Sequence, residues 1–223
     1  MLNTKSLVDQ IYETLLLRIR NLEYKPGMRI NLDKLKSEFS VSTAPIREAL
    51  QRLARDNIII VKPRIGFNVA NLTKEDVANV FETRKLLESY CLRISIKVEE
   101  KESLKAIRNT MLSLKQLLES ENPPSEDLVR ECIEIDDFLH RNILIGNCNN
   151  KFILSFYETL DNFSSIIRHF SFRLKEDIDQ HIGIIEAMIH SDQIKAEERL
   201  LTHLDRAEIA TMEWISKAST RKE

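Results

Sequence analysis

Residues that interrupt helices are rare along this chain, which contains only 4 glycines and 5 prolines among 223 residues. These are the two residue types that destabilise a helix interior most. Hydrophobic residues make up 43% of the chain, enough to bury a real core, and charged residues make up 30%. The sequence therefore predicts a mainly α-helical protein of one or two domains.

Several classes of protein can be set aside at once. No stretch approaches eighteen consecutive apolar residues, and the N-terminal segment lacks the apolar run of a signal peptide. The three cysteines (Cys91, Cys132 and Cys148) are odd in number and show no paired metal spacing, which favours a reducing compartment. We therefore expect a cytoplasmic protein with no membrane partner.

The first 70 residues predict three helices. Apolar residues recur at helical spacing over residues 6–22, the segment Tyr24–Gly27 ends that helix, and a short helix follows over Leu32–Phe39. Ser42 or Thr43 can cap a third helix. That helix carries an apolar stripe made of Ile46, Ala49, Leu50 and Leu53.

A β-hairpin is predicted directly after the third helix. Residues 58–61 are β-branched, residues 67–70 alternate between apolar and polar, and the turn between them contains Pro63 and Gly66. Residues 1–70 also carry 12 Lys and Arg against 7 Asp and Glu, whereas the remaining residues have an acidic balance. A small basic unit joined to an acidic body is typical of a nucleic-acid-binding module fused to another domain.

Two helices, a tight turn and a third helix form a helix-turn-helix, with the hairpin as its wing. The buried stripe leaves the start of the third helix open toward a DNA major groove. The alternative is a helical hairpin with a solvated charged face. The candidate DNA contacts are Ser42, Thr43, Ala44 and Arg47 on the helix, and Arg64 and Gly66 on the wing.

The same segment resembles the winged helix of GntR-family bacterial regulators. The resemblance rests on the run from Tyr24 to Ile30 and on Pro45-Ile-Arg-Glu-Ala-Leu50 followed by Arg52-Leu53. It implies sequence-specific operator binding as a homodimer. Thr43 replaces the arginine that usually reads a guanine in the family, which puts the usual operator sequence in doubt but not DNA binding, because phosphate contacts carry most of the affinity.

The rest of the chain predicts an antiparallel bundle of six helices. Their expected spans are 73–98, 101–121, 126–145, 150–171, 174–190 and 193–217. The fold class is therefore mainly α, with a winged helix-turn-helix over residues 1–71 and an all-α bundle over residues 72–223. Phe138, Phe152, Phe156, Phe163 and Trp214 are expected in cores.

Four side chains of this bundle are candidate metal ligands. Asp136 and His140 are four residues apart and share a helix face, while His181 and His203 have apolar neighbours at helical spacing. All four should therefore point inward, where three imidazoles and a carboxylate suit a divalent transition metal. The alternative is that they are ordinary core histidines. His169 and His190 are expected to be structural or surface residues.

A second resemblance covers the bundle. Arg84 followed by Leu87-Glu88, Asp136 through His140, Ile145 through Asn147, and the run from His181 to His203-Leu204 are similar to the FCD ligand-binding domain of the fatty-acid-regulator branch, in its shorter vanillate-regulator-like form. That resemblance implies a metal on Asp136, His140, His181 and His203, with zinc first and nickel, manganese, cobalt or iron as alternatives. Gln180 departs from the family, which has glutamate before His181.

These features predict a metabolite-responsive transcription regulator, by default a repressor. An open metal position can bind a small carboxylate effector, and Arg84 can clamp that carboxylate, although Arg84 can equally pair with Glu88 one turn away. One alternative keeps DNA binding but senses a larger apolar ligand such as an acyl-coenzyme A without metal. A remote alternative is a metal-dependent hydrolase. The cytoplasmic protein would associate with the nucleoid when bound to its operator.

Overall fold

The computed structural model describes residues 6–20, 23–56, 58–71, 73–121, 123–158, 160 and 173–220. The described chain divides into two compact units. The first contains the N-terminal residues up to Lys74 together with the C-terminal residues from Glu213 onward, and the second contains the helices between them. Within the described residues, no helix is long and apolar enough to cross a membrane.

The first unit is a winged helix-turn-helix, as the sequence predicts. Its elements, in chain order, are α1 (Leu7–Arg20), α2 (Leu32–Phe39), α3 (Thr43–Arg55), β1 (Ile59–Lys62) and β2 (Gly66–Val69). The two strands pair antiparallel, with Ile59 opposite Val69 and Lys62 opposite Gly66. The predicted stripe of α3 is buried and packs in one core with α1, α2 and the hairpin.

The turn between α2 and α3 is fixed by local backbone chemistry. The Asn31 side chain caps α2 by accepting from the backbone N–H groups of Asp33 and Lys34. Ser40 ends α2 in the left-handed conformation, with φ of 53°, and its N–H donates to the carbonyl of Lys36. The chain therefore reverses within a few residues and brings α3 against the helices before it.

The second unit is a helical bundle. Its elements are α4 (Lys74–Val98), α5 (Lys101–Ser120), α6 (Glu126–Asp137), a π-helical segment (Phe138–Ile145), a short turn (Gly146–Cys148), α7 (151–158), α8 (Leu174–Ile189) and α9 (Gln193–Thr220). Helix α5 packs along α8, and α6 packs against both of them. The predicted combination of a winged helix and an all-α bundle is confirmed.

Two details of the bundle differ from the sequence prediction. The expected single helix over 126–145 changes from α to π at Phe138, and the Ser95 hydroxyl donates to the Ile143 carbonyl over 2.7 Å. The prediction that Phe138, Phe152 and Phe156 are core residues is wrong, because their side chains are 41%, 75% and 56% exposed. Helix α7 instead buries Tyr157. Phe163, His169 and most of the predicted helix over 150–171 lie outside the described residues.

Trp214 belongs to the first unit rather than to the bundle. This residue is the only tryptophan in the chain, and its partly buried side chain packs against the core of the winged helix. Residues of α9 from Glu213 onward thus contribute to the unit that contains α1 to β2. The proposed domain division at residue 71 stays a prediction, and a fragment ending there would lack this contact.

We predict that Trp214→Ala lowers the free energy of unfolding of the full-length protein by about 2 kcal/mol, because it removes a large apolar side chain from this core. Urea unfolding followed by circular dichroism measures the change. Ile209→Ala, at an exposed position of the same helix, is the matched control and should change stability by less than about 0.5 kcal/mol. Equal effects of the two substitutions would contradict the assignment of Trp214 to the core.

Candidate nucleic-acid surface and metal centre

The start of α3 is an exposed surface. Ser42, Thr43, Ala44 and Arg47 are all solvent-exposed, whereas the stripe behind them is buried. Ser42 is the N-cap residue of α3, but its side chain makes no capping hydrogen bond, so the hydroxyl can bond to another molecule. Arg52, one turn beyond Glu48, instead bonds to Asp9 and Glu48 and is held within the unit.

The wing places a second cation at its tip. Arg64 is exposed and adopts the left-handed backbone conformation, with φ of 61°. Gly66 has φ of 110°, which a residue with a side chain rarely adopts, and open space surrounds the position of its missing Cβ. All six predicted DNA-contact positions are thus part of the described winged helix, on α3 or at the wing.

The four candidate metal ligands converge in the interior of the bundle. Asp136 lies at the end of α6, His140 in the π-helical segment, His181 in α8 and His203 in α9. All four side chains are buried, and one ligand atom from each lies within 4.8 Å of the others. Three helical stretches therefore fix the cluster: the continuous one formed by α6 and the π-helical segment, α8 and α9.

The distances within the cluster suit a single metal ion. His181 Nε2 lies 3.3 Å from His140 Nε2, 3.2 Å from His203 Nε2 and 3.4 Å from Asp136 Oδ1. Zinc–nitrogen bonds of about 2.0–2.1 Å at tetrahedral angles place the nitrogens about 3.3–3.4 Å apart. Three imidazole nitrogens directed at one point, with one carboxylate oxygen beside them, are therefore a donor set that fits a divalent transition metal.

A buried carboxylate supports His140 from behind. Glu88 Oε2 lies 2.6 Å from His140 Nδ1, and Glu88 Oε1 accepts from Arg84 Nε over 2.6 Å. Both Arg84 and Glu88 belong to α4 and are buried. Arg84 therefore makes the intrahelical pair with Glu88 that the spacing allowed, in addition to lying near the cluster.

His203 has a different partner. Gln180 Oε1 lies 2.9 Å from His203 Nδ1, and the partly buried Gln180 also lines an open groove between α8 and α9. The sequence indicates Gln180 only as a departure from the glutamate that the family has before His181, and does not predict its contact with His203. His181 Nδ1 is buried and has no hydrogen-bond partner among the described residues.

Burial keeps the imidazoles of His181 and His203 neutral. Loss of water around His181 lowers its pKa to about 4, despite the nearby Asp136 carboxylate. Burial and the neighbouring His181 and His140 also lower the pKa of His203 well below its ordinary value. Burial alone would raise the pKa of Glu88, but Arg84 and His140 outweigh it and lower that pKa to about 2. His181 and His203 thus offer uncharged nitrogen donors at neutral pH.

The sequence prediction does not include Arg173 and Asp177, although Asp177 precedes His181 by four residues and therefore shares its face of α8. The backbone N–H of Arg173 donates to Asp177 Oδ2 over 2.8 Å, and burial raises the pKa of Asp177 to about 7. The guanidinium Nε and Nη2 atoms of Arg173 are buried without a hydrogen-bond partner among the described residues. Arg173 directly precedes α8, where no helical periodicity indicates which way a side chain points.

Family models match both units. The model for the bacterial regulatory proteins of the gntR family matches residues 7–69, and the FCD domain model matches residues 79–206. The chain is a GntR-family regulator with an FCD domain. The fold and the family expected from the sequence are thereby confirmed.

Curated relatives align over most of the chain. The HTH-type transcriptional regulator YdhC of Bacillus subtilis is 29% identical over 203 residues, which cover 88% of this chain and 87% of the relative. The gluconate operon transcriptional repressor of Bacillus subtilis is 25% identical and covers 78% of this chain and 70% of its own length. This GntR-family protein is therefore a transcriptional regulator, not an enzyme, which removes the hydrolase alternative.

Solved structures share the fold. McbR/YncC of Escherichia coli superposes with a TM-score of 0.59 at 20% identity and covers 94% of this chain and 99% of its own. The Zn²⁺-bound FCD domain of TM0439 has a TM-score of 0.53 at 23% identity, covering 65% of this chain and 96% of that domain. At these identities the likeness concerns the fold alone.

Proposed function

We propose that this GntR-family regulator is a metal-containing repressor that responds to a small carboxylate. The observation that supports the metal is the convergence of Asp136 and three buried imidazoles, whose ligand atoms lie within 4.8 Å of one another. Asp136, His140, His181 and His203 would hold the ion, with zinc as the first choice because imidazole nitrogens and a carboxylate oxygen are donors that zinc binds. Because all four protein donors would bind the ion, an anionic oxygen would enter as an additional ligand when the ion expands its coordination beyond four.

The effector would bind beside this cluster. Arg84 and Arg173 both lie close enough to lower the pKa of His203, and two guanidinium nitrogens of Arg173 have no partner among the described residues. A guanidinium with free N–H groups is suited to bind a carboxylate. Two relatives are named for a gluconate operon, and gluconate is a carboxylate, which agrees with this class of ligand.

The DNA interface would be formed by the winged helices of a homodimer acting in the cytoplasm. Ser42, Thr43, Ala44 and Arg47 enter the major groove, and Arg64 with Gly66 contacts the backbone or the minor groove. Two heads then read the two halves of a pseudo-palindromic operator. Effector binding shifts the population between DNA-competent and DNA-incompetent arrangements of the dimer.

We expect about one divalent metal ion per chain in protein purified without chelator or histidine tag, and loss of that metal in His181→Ala. Elemental analysis of both proteins makes the measurement. His190→Ala, at an exposed histidine of the same region, is the control and should retain the metal. Absence of metal from the unmodified protein would contradict the proposed centre and favour a larger apolar ligand, with the DNA-binding half unaffected.

We expect Arg47→Ala to weaken operator binding by about 1–3 kcal/mol, because Arg47 is exposed on the groove-facing side of α3. A gel-shift titration at two salt concentrations, on an operator selected from random sequence, measures this loss. Arg130→Ala removes the same charge from an exposed position of α6 and serves as the control. Equal affinity of Arg47→Ala and the unmodified protein at both salt concentrations would remove Arg47 from the interface.

Effector and operator must alter each other's affinity by the same factor. We expect a screen of small carboxylates by thermal shift to yield a ligand whose dissociation constant changes when operator is present. Calorimetry with and without DNA measures that change, and Arg173→Met should weaken the binding of the ligand. A ligand that binds equally well in both cases is not the effector of this mechanism.

A further inference from the structure

The three imidazoles of the cluster differ in the partners of their Nδ1 atoms, which lie on the side away from the cluster. His140 and His203 each have an oxygen acceptor close to Nδ1, whereas His181 has none among the described residues. We propose that Glu88 and Gln180 are positioning residues that fix His140 and His203 with Nε2 directed at the metal, and that His181 changes tautomer when the metal binds. This inference rests on the proposed metal centre.

Glu88 determines the tautomer of His140. Its Oε2 atom lies 2.6 Å from His140 Nδ1, so the carboxylate accepts the Nδ1 proton and leaves the Nε2 lone pair free. Both side chains are buried, and Arg84 holds the second carboxylate oxygen, so Glu88 cannot rotate away without breaking two buried bonds. A carboxylate behind a histidine also makes that histidine a stronger ligand.

Gln180 determines the tautomer of His203 in the same way, but through a neutral amide group. Its Oε1 atom lies 2.9 Å from His203 Nδ1, which again leaves Nε2 as the lone-pair atom. An amide oxygen orients the ring but adds no negative charge, so it raises the basicity of His203 less than a carboxylate would. The group that bonds to His203 Nδ1 is therefore neutral, and a carboxylate at position 180 should tighten metal binding.

Each of the two neutral tautomers of His181 has a disadvantage. With its proton on Nε2, it can donate to Asp136 or to a neighbouring imidazole 3.2–3.4 Å away. With its proton on Nδ1, it presents a lone pair to the metal but buries an N–H group without an acceptor among the described residues. The metal-free protein should therefore hold the Nε2–H form, and metal binding should move the proton to Nδ1.

Metal affinity tests the two positioning residues. Competition with a chromophoric chelator would measure the Zn²⁺ affinity of the full-length protein and its variants. Glu88→Gln and Gln180→Leu should each weaken it by about 10–100-fold, and Gln180→Glu should tighten it. Glu82→Gln and Gln116→Glu make the same chemical changes at exposed positions of α4 and α5 and should leave the affinity unchanged.

Gln180 is partly exposed, so its two variants test the inference even if the buried Glu88→Gln fails to fold. The opposite signs expected for leucine and glutamate also separate a positioning role from general destabilisation. Wild-type affinity in both Gln180 variants would overturn the assignment of Gln180. Wild-type affinity in a folded Glu88→Gln would overturn that of Glu88.

The tautomers can be read directly by long-range ¹H–¹⁵N NMR of the imidazoles in metal-free protein. We expect His140 and His203 to carry the proton on Nδ1 and His181 to carry it on Nε2, with His181 moving to Nδ1–H after zinc is added. An Nε2 proton on His140 or His203 would overturn the inference. Absence of Zn²⁺ binding by the unmodified protein would contradict the proposed metal centre. If the unmodified protein binds Zn²⁺ and the Glu88 and Gln180 variants bind it with the same affinity, only the present inference is contradicted.

Discussion

Burial of charged and polar groups in a helical interior is the constraint on which this structure depends. An isolated carboxylate or imidazole among apolar side chains would be strongly destabilising. Glu88 avoids that cost by accepting from both Arg84 and His140. Because it holds one residue of its own helix and one of the π-helical segment, Glu88 links α4 to the metal cluster, and a ligand that takes Arg84 would act on His140 through it.

The inward direction of the four ligands could be predicted from the sequence because helical geometry determines it. Apolar neighbours of His181 and His203 recur at helical spacing, so those histidines face the same interior as the neighbours do. The winged helix was predictable for a related reason, since the α3 stripe and the hairpin signals are local. Each of these features depends on residues that are close in sequence, within one helix or in the hairpin that follows it.

The remaining features depend on contacts between distant residues. The pair of Glu88 with Arg84 is visible at four-residue spacing, but its bond to His140 joins residues 52 positions apart. The bond between Gln180 and His203 spans 23 positions. His140 lies in the π-helical segment that begins at Phe138, and the Ser95 hydroxyl of α4 bonds to the Ile143 carbonyl further along that segment. The exposed phenylalanines were missed because an apolar residue type alone does not fix which face a short helix buries.

The backbone at the wing tip is strained at Arg64. Arg64 has a left-handed φ that costs a residue with a side chain about 1 kcal/mol, a cost that glycine would avoid. A chain selected for thermal stability alone would carry glycine at this position. If Arg64 contacts DNA as proposed, the wing gives up some folding energy for a cation held at its tip, and replacing Arg64 by glycine would stabilise the fold but remove that contact.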